Sequence, residues 1–191
     1  MEKRSCSLMI VGVGGQGTLL TSRILGSVFM NAGFDVKVSE VHGMSQRGGS
    51  VVTYVKCAGK VYSPLIGEGE ADYILAFEKL EAARYLPYLK TEGVMIVNLL
   101  EITPASVEKG GYPAGIIEKL EQAGADVIAI DATALAKQAG NVKSVNVAML
   151  GRLAKLMPFS YDEWIASLTE HVREQFFDAN KKAFDLAYFE A

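Results

Sequence analysis

Cysteine is scarce in this chain: two in 191 residues, Cys6 and Cys57, far apart and in no C-x-x-C arrangement. Two thiols are too few to ligate an iron–sulfur cluster within one chain, which takes four. They are also too few for a disulfide framework, and two buried, reduced thiols on strands is the reading that remains. Histidine is equally sparse, with only His42 and His171, so the usual acid–base and metal-binding residue is thinly supplied. Positive charge is not gathered into a stripe, and the net charge is -3, which argues against nucleic acid as a partner. No stretch reads as a signal peptide or a membrane span, so the expected location is the cytoplasm, with no membrane partner. Low-complexity linkers and internal repeats are absent as well. What is present is 50% hydrophobic residues and 19 glycines against 5 prolines, the composition of a compact α/β protein. The length suits one domain over residues 1–191.

The apolar pattern alternates between strand and helix. SLMIVGV, residues 7–13, reads as a strand buried on both faces. Apolar residues then recur at helical spacing from Thr18 to Met30, and Gly33 is placed to end that helix in a left-handed cap. FDVKVSEV follows as a second strand, so residues 7–41 read as one βαβ unit. SVVTYVKC is a further strand, with VYSPLI expected to pair back on it as a hairpin. ADYILAF, GVMIVNLL and ADVIAID are strands separated by helices, and the chain is helical from about residue 144, with a capping box at Ser160 and Glu163. The expected fold is a three-layer α/β/α sandwich with a mostly parallel, mixed sheet.

Two glycine-rich segments carry the chemistry. In GVGGQG, Gly12, Gly14 and Gly17 fit G-x-G-x-x-G after a strand and before a helix. Such glycines let the backbone turn sharply and approach a pyrophosphate, and the helix N-terminus presents free N–H groups to an anion. Glu40 ends the second strand, where a ribose-binding acid stands in dinucleotide sites, and is equally a solvated strand end. Gln16 is expected to place its amide at the helix mouth. A tight turn with no ligand is the alternative for the whole segment.

The second segment is HGMSQRGG, within EVHGMSQRGGSV. Arg47 can hold a phosphate or carboxylate through two parallel N–H bonds. Gly48 and Gly49 allow positive φ and let backbone N–H groups face an anion, and Ser45 and Gln46 add polar contacts. His42 reads as a structural hydrogen-bonder. Both segments belong at the carboxyl edge of the sheet, where open α/β folds bind ligands.

GVGGQG followed by EVHGMSQRGGSV resembles the gamma-type domain of the 2-oxoacid:ferredoxin oxidoreductases over nearly the whole chain. The form HGMSQRGG is similar to the small (beta) subunits of the indolepyruvate type. That resemblance implies oxidative decarboxylation of a 2-oxoacid, such as an aryl pyruvate, with coenzyme A accepting the acyl group and ferredoxin the electrons. It implies a large partner subunit carrying thiamine diphosphate and iron–sulfur clusters, and a small subunit without turnover of its own that helps assemble the complex and lines a coenzyme A channel. Under this reading Gly12, Gly14, Gly15, Gln16, Gly17, Ser45, Gln46, Arg47, Gly48 and Gly49 form a cofactor-binding edge, with no catalytic residue and no metal ligand. The isolated chain is expected to self-associate through the surface left bare.

Two other readings stand beside this one. A free-standing dinucleotide-binding oxidoreductase would use the same turn, and a pure assembly module would use the loops only for backbone contacts. Asn146 reads as a satisfied core amide near the Gly turn, Asp131 as a helix cap and Trp164 as core. Among the aromatic residues near the C-terminus, some are expected to face a partner.

Overall fold

The computed structural model describes residues 5–42, 49–104 and 111–190. Its elements run β1 (Cys6–Val13), α1 (Thr18–Asn31), β2 (Asp35–His42), β3 (Ser50–Ala58), β4 (Ala71–Ala76), α2 (Lys79–Tyr85) and β5 (Leu89–Asn98). They continue with α3 (Ile116–Gln122), β6 (Asp126–Ile130), α4 (Ala132–Gln138), α5 (Val145–Ala154), α6 (Tyr161–His171) and α7 (Glu174–Asp185), which passes into a π-type turn over Leu186–Glu190. The six strands form one sheet in the order β2-β3-β1-β4-β5-β6. β1, β4, β5 and β6 are parallel, while β3 runs antiparallel to both β1 and β2. The sheet is therefore mixed, as the sequence suggests.

Side chains alternate across it. Leu8, Ile10, Leu75 and Ile96 face one way, into a core shared with Ile24, Leu25 and Phe29 of α1, Val147 and Leu150 of α5, Trp164 of α6 and Phe184 of α7. Met9, Val11, Ile74, Met95 and Val97 face the other way, against Ala82 of α2 and Ile116 and Leu120 of α3. Leu8, Met9, Ile10 and Val11 are all fully buried, which explains why β1 is apolar without alternation. Each such aliphatic side chain contributes roughly 1.5–3 kcal/mol on burial. α5 and α7 cross so closely that a Cβ on Gly151 would lie 2.4 Å from the Phe184 carbonyl oxygen, so glycine is required there. Gly33 has φ 80° and closes α1 as expected.

Two local expectations are corrected. β2 does not lie beside β1: β3 inserts between them, so residues 7–41 make a split βαβ unit. VYSPLI is not a strand, and β3 instead pairs back on β2 and β1. Its physical cause is visible in the segment itself. Pro64 has no N–H to give to a ladder. Side chains hold the neighbouring backbone: Val61 N donates to Asp35 Oδ2 at 2.9 Å, and Lys56 Nζ donates to the Leu65 carbonyl at 2.7 Å. β5 also begins earlier than the apolar run implies, at Leu89. Among the described residues no helix is long and apolar enough to cross a membrane.

The capping box at α6 is present in full. The Ser160 N–H donates to Glu163 Oε2 at 2.7 Å, and the Glu163 N–H donates to Ser160 Oγ at 3.4 Å. The Ser160 hydroxyl also donates to the carboxylate, and these bonds hold the Glu163 pKa below its ordinary value. A folded-state pKa below the unfolded one gives stability that is present above the unfolded value and lost as pH falls through the folded value. Ser160→Ala is expected to cost about 1 kcal/mol near neutral pH in urea unfolding. The advantage of wild type over Glu163→Gln is expected to shrink as the pH is lowered below about 4.3.

Candidate functional site

β1 and α1 are joined only by Gly14, Gly15, Gln16 and Gly17, so the chain must reverse direction within one tight turn. Gly15 at φ 99° and Gly17 at φ 84° supply the left-handed backbone that an L side chain resists. The Gly14 N–H donates to the Gly49 carbonyl at 2.9 Å. The β1–β3 register, Gly12 opposite Val51 and Val13 opposite Ser50, brings this about. The Gly turn and the end of the second glycine-rich segment therefore meet at the carboxyl edge of the parallel strands.

Gln16 does not extend its amide to the helix mouth, and that expectation is corrected. Its Oε1 accepts from the Val13 N–H at 2.6 Å, and its Nε2 donates to the Phe77 carbonyl at 3.1 Å. The side chain folds back into the turn because two backbone groups at strand ends need partners there. Gly12 leaves room for it: a Cβ at Gly12 would lie 2.6 Å from Gln16 Oε1. The Phe77 carbonyl also accepts from Asn98 Nδ2 at 3.2 Å, and Asn98 Oδ1 accepts from the Ala132 N–H at 3.1 Å. Two amide side chains thus link the ends of β1, β4 and β5 to the start of α4. Gly17 approaches α5 so closely that a Cβ would lie 2.8 Å from Asn146 Nδ2, which donates to the Gly17 carbonyl at 3.4 Å.

Two buried carboxylates stand at the same edge. Glu78 caps α2 by accepting from the Glu81 N–H at 3.0 Å, and it also accepts from the Ile102 N–H at 3.1 Å and from the Tyr112 hydroxyl. Burial first, then that bond to Glu78, raise the Tyr112 pKa well above the phenol value. Glu81 accepts from the Ser50 hydroxyl, at the start of β3, and pairs with Arg84 Nε at 3.2 Å. Glu40 accepts from the Thr18 hydroxyl at 3.3 Å and so braces the first turn of α1.

Gly15, Gln16 and Gly17 form one wall of a cleft of about 830 Å³. Its opposite wall carries Lys143, His171, Arg173 and Phe176. Lys143 and Arg173 are exposed, and no Asp or Glu lines the cleft among the described residues. His171 Nδ1 lies 2.9 Å from the Ser167 carbonyl, so Nδ1 carries the proton and donates, leaving Nε2 to face elsewhere. Leu20, Leu100, Ile102 and Val142 give the cleft an apolar part. A ligand that matches it has both an anionic and an apolar portion.

Of the residues expected at the site, Gly12, Gly14, Gly15, Gln16, Gly17 and Gly49 are brought together. Ser45, Gln46, Arg47 and Gly48 lie outside the described residues. Sequence reasoning missed Lys143 and Arg173, which sit far along the chain in helical boundaries without a motif. It also missed Asn98, whose signal is a lone amide within the apolar run GVMIVNLL. Among the described residues there is no group of three or more His, Cys, Asp or Glu placed to hold a metal ion.

Residues 7–190 match the family Pyruvate ferredoxin/flavodoxin oxidoreductase, and the chain belongs to that family. It is 41% identical over 195 residues to the indolepyruvate oxidoreductase subunit IorB of Pyrococcus horikoshii, covering 94% of this chain and 93% of that protein. Among solved structures, the gamma subunit of a keto/oxoacid ferredoxin oxidoreductase from Geobacter sulfurreducens superimposes with a TM-score of 0.72 at 22% identity, over 96% of each chain. The 2-oxoglutarate:ferredoxin oxidoreductase of Magnetococcus marinus, solved with 2-oxoglutarate, coenzyme A and succinyl-CoA bound, superimposes with a TM-score of 0.74 at 19% identity. That match covers 97% of this chain and 31% of the larger one. At these identities the two structures bear on the fold alone.

The Gln16 plug predicts a specific non-additivity. Gln16→Ala orphans the Val13 N–H and one donor to Phe77, and is expected to cost about 1–3 kcal/mol. Gly12→Ala collides with Gln16 Oε1 in the wild type, but much of that collision disappears once Gln16 is alanine. Urea unfolding of the two single variants and the double variant should give a coupling of about 1 kcal/mol or more, with the double variant more stable than the sum implies.

Proposed function

We propose that this chain is the small, non-catalytic subunit of a ferredoxin-dependent oxidoreductase that oxidatively decarboxylates indolepyruvate, or another 2-oxoacid, to the acyl-CoA. Its partner is a large subunit holding thiamine diphosphate and the iron–sulfur clusters, and ferredoxin receives the electrons through the complex, in the cytoplasm. In this role the chain supports assembly and lines the coenzyme A channel with the Gly turn at Gly12, Gly14, Gly15, Gln16 and Gly17 and the loop at Ser45, Gln46, Arg47, Gly48 and Gly49.

The observation that carries the reading is the cleft where the uncapped start of α1 meets Lys143 and Arg173, with no carboxylate on its described walls. Coenzyme A is a polyanion with an extended apolar arm, and that donor set fits it: cations for phosphates, Leu20, Val142 and Phe176 for the arm. The residues do not fit the redox groups. Two cysteines cannot ligate a four-thiolate cluster, so no electron-transfer step is assigned to this chain. Phe176 at 44% and Phe189 at 62% exposure supply apolar surface of the kind an obligate partner covers. The same surface is the one through which the isolated chain is expected to self-associate.

The test has two parts. A tagged chain purified gently from its own cells should bring down a much larger, brown, iron-containing chain; a colourless chain alone that binds NADH tightly would move the reading to a free-standing dinucleotide oxidoreductase. In the assembled enzyme, replacing Lys143 and Arg173 together with glutamate is expected to raise the KM for coenzyme A about tenfold or more, while the yield of complex and the KM for the 2-oxoacid change little. An unchanged coenzyme A dependence would remove this cleft from the channel.

A further inference from the structure

The amino edge of the sheet, opposite the Gly turn, holds a feature the proposed function does not use. Cys6 on β1 and Cys57 on β3 stand directly opposite one another in the antiparallel ladder. Opposed residues in such a ladder have Cα atoms roughly 4.5–5.5 Å apart, within the span of bridged cysteines. Both side chains also point to the same face, since Cys57 belongs to the core under α1 and Cys6 packs against it. The two thiols are close enough to influence each other, and the proximity of Cys6 holds the Cys57 pKa below its ordinary value. Neither is in a disulfide. Cys57 is buried and Cys6 half-buried, and both line a second hollow of about 440 Å³ that opens to solvent beside Lys56, Lys60 and Lys90. A small polar oxidant therefore has a path to the pair.

We propose that Cys6 and Cys57 form a reversible dithiol–disulfide site that a hydroperoxide oxidises to a cross-strand disulfide between β1 and β3. In the first step one sulfur, as thiolate, attacks a peroxide oxygen. The O–O bond breaks, a sulfenic acid forms, and hydroxide leaves and is protonated to water. In the second step the other sulfur attacks the sulfenic sulfur, the S–S bond forms, the S–O bond breaks, and a second water leaves with the thiol proton. The two thiols lose two electrons and two protons, and hydrogen peroxide is reduced to two waters. The opposed register favours the second step over further oxidation of the sulfenic acid, because the resolving thiol is held on the facing residue of the ladder.

These being the only cysteines in the chain, an internal bridge has a single connectivity. The full-length chain, purified without oxygen, is treated with hydrogen peroxide in native buffer, alkylated, and weighed intact without reduction. The expected result is loss of both titratable thiols, a mass lower by about 2 Da, no covalent dimer, a Cys6–Cys57 peptide on digestion, and recovery with dithiothreitol. Three results would overturn the site. One is a gain of about 16 or 32 Da that peptide mapping locates on Cys6 or Cys57 and not on a methionine. Another is covalent linkage between chains. The third is survival of both thiols at a peroxide dose that oxidises free cysteine in the same buffer.

Discussion

The carbonyl of Phe77 organises the carboxyl edge of the sheet. It stands just past β4, in the middle of the sheet, where a parallel strand ends with its backbone acceptor buried and water excluded. Gln16 from one side and Asn98 from the other each donate an amide hydrogen to it. Asn98 is fully buried, so its bonds are obligatory: an unpartnered amide there would cost about 1–3 kcal/mol. The consequences spread outward. Because Gln16 must reach Phe77, Gly12 cannot carry a Cβ. Because Gln16 folds inward, its amide is committed to the Val13 N–H and the Phe77 carbonyl, and the turn borders the cleft at Gly15, Gln16 and Gly17. Because Asn98 Oδ1 holds the Ala132 N–H, α4 starts at a fixed height above the sheet.

Much of this was legible in the sequence, and the exceptions have physical causes. Fully buried β1 was readable because a strand covered on both faces loses its alternation, and the Ser160 capping box because its residues are local. The place of β3 was not readable, since strand order is set by pairing between residues far apart in sequence, and nothing in SVVTYVKC names its neighbours. VYSPLI has the apolar content of a strand, but Pro64 and side-chain bonds to Asp35 and Lys56 keep it off the ladder, and neither partner residue lies within the segment. At the site, the glycines announced themselves because positive φ and close approach leave only one residue type. Gln16 stands out in the sequence but its direction does not, since that depends on Phe77, sixty-one positions away. Lys143 and Arg173 left no signal at all: they meet the Gly turn only because α5 and the α6–α7 junction pack over α1.

The two ends of β1 and β3 are physically different environments. At the carboxyl edge, the strands end in glycine, cations line the cleft, and the backbone bond from Gly14 to Gly49 is the link between them. At the amino edge, the same two strands set two cysteines opposite each other. Antiparallel pairing makes this inevitable: a register that puts Val13 against Ser50 must put Cys6 against Cys57. A slip by one residue would turn every side chain of β3 to the other face and undo both pairings together. The register is held by the core itself, since Val55 and Cys57 face α1 while Val52 faces the opposite layer.

Under the proposed function, the shape and charge of the large cleft fit a ligand held between this chain and its partner. Val142 is 57% exposed and Phe176 44%, on the same wall as Lys143 and Arg173. Apolar surface left in water forgoes roughly 25 cal/mol for each Å² that a partner could cover, so a wall of this kind is favourable only when something rests on it. An anion alone would satisfy the two cations and leave the apolar residues wet. A protein surface alone would cover the apolar residues and would have to bring carboxylates of its own to keep the two cations from being buried unpaired. A ligand that carries phosphates at one end and an apolar arm at the other, clamped under a second subunit, answers both requirements at once.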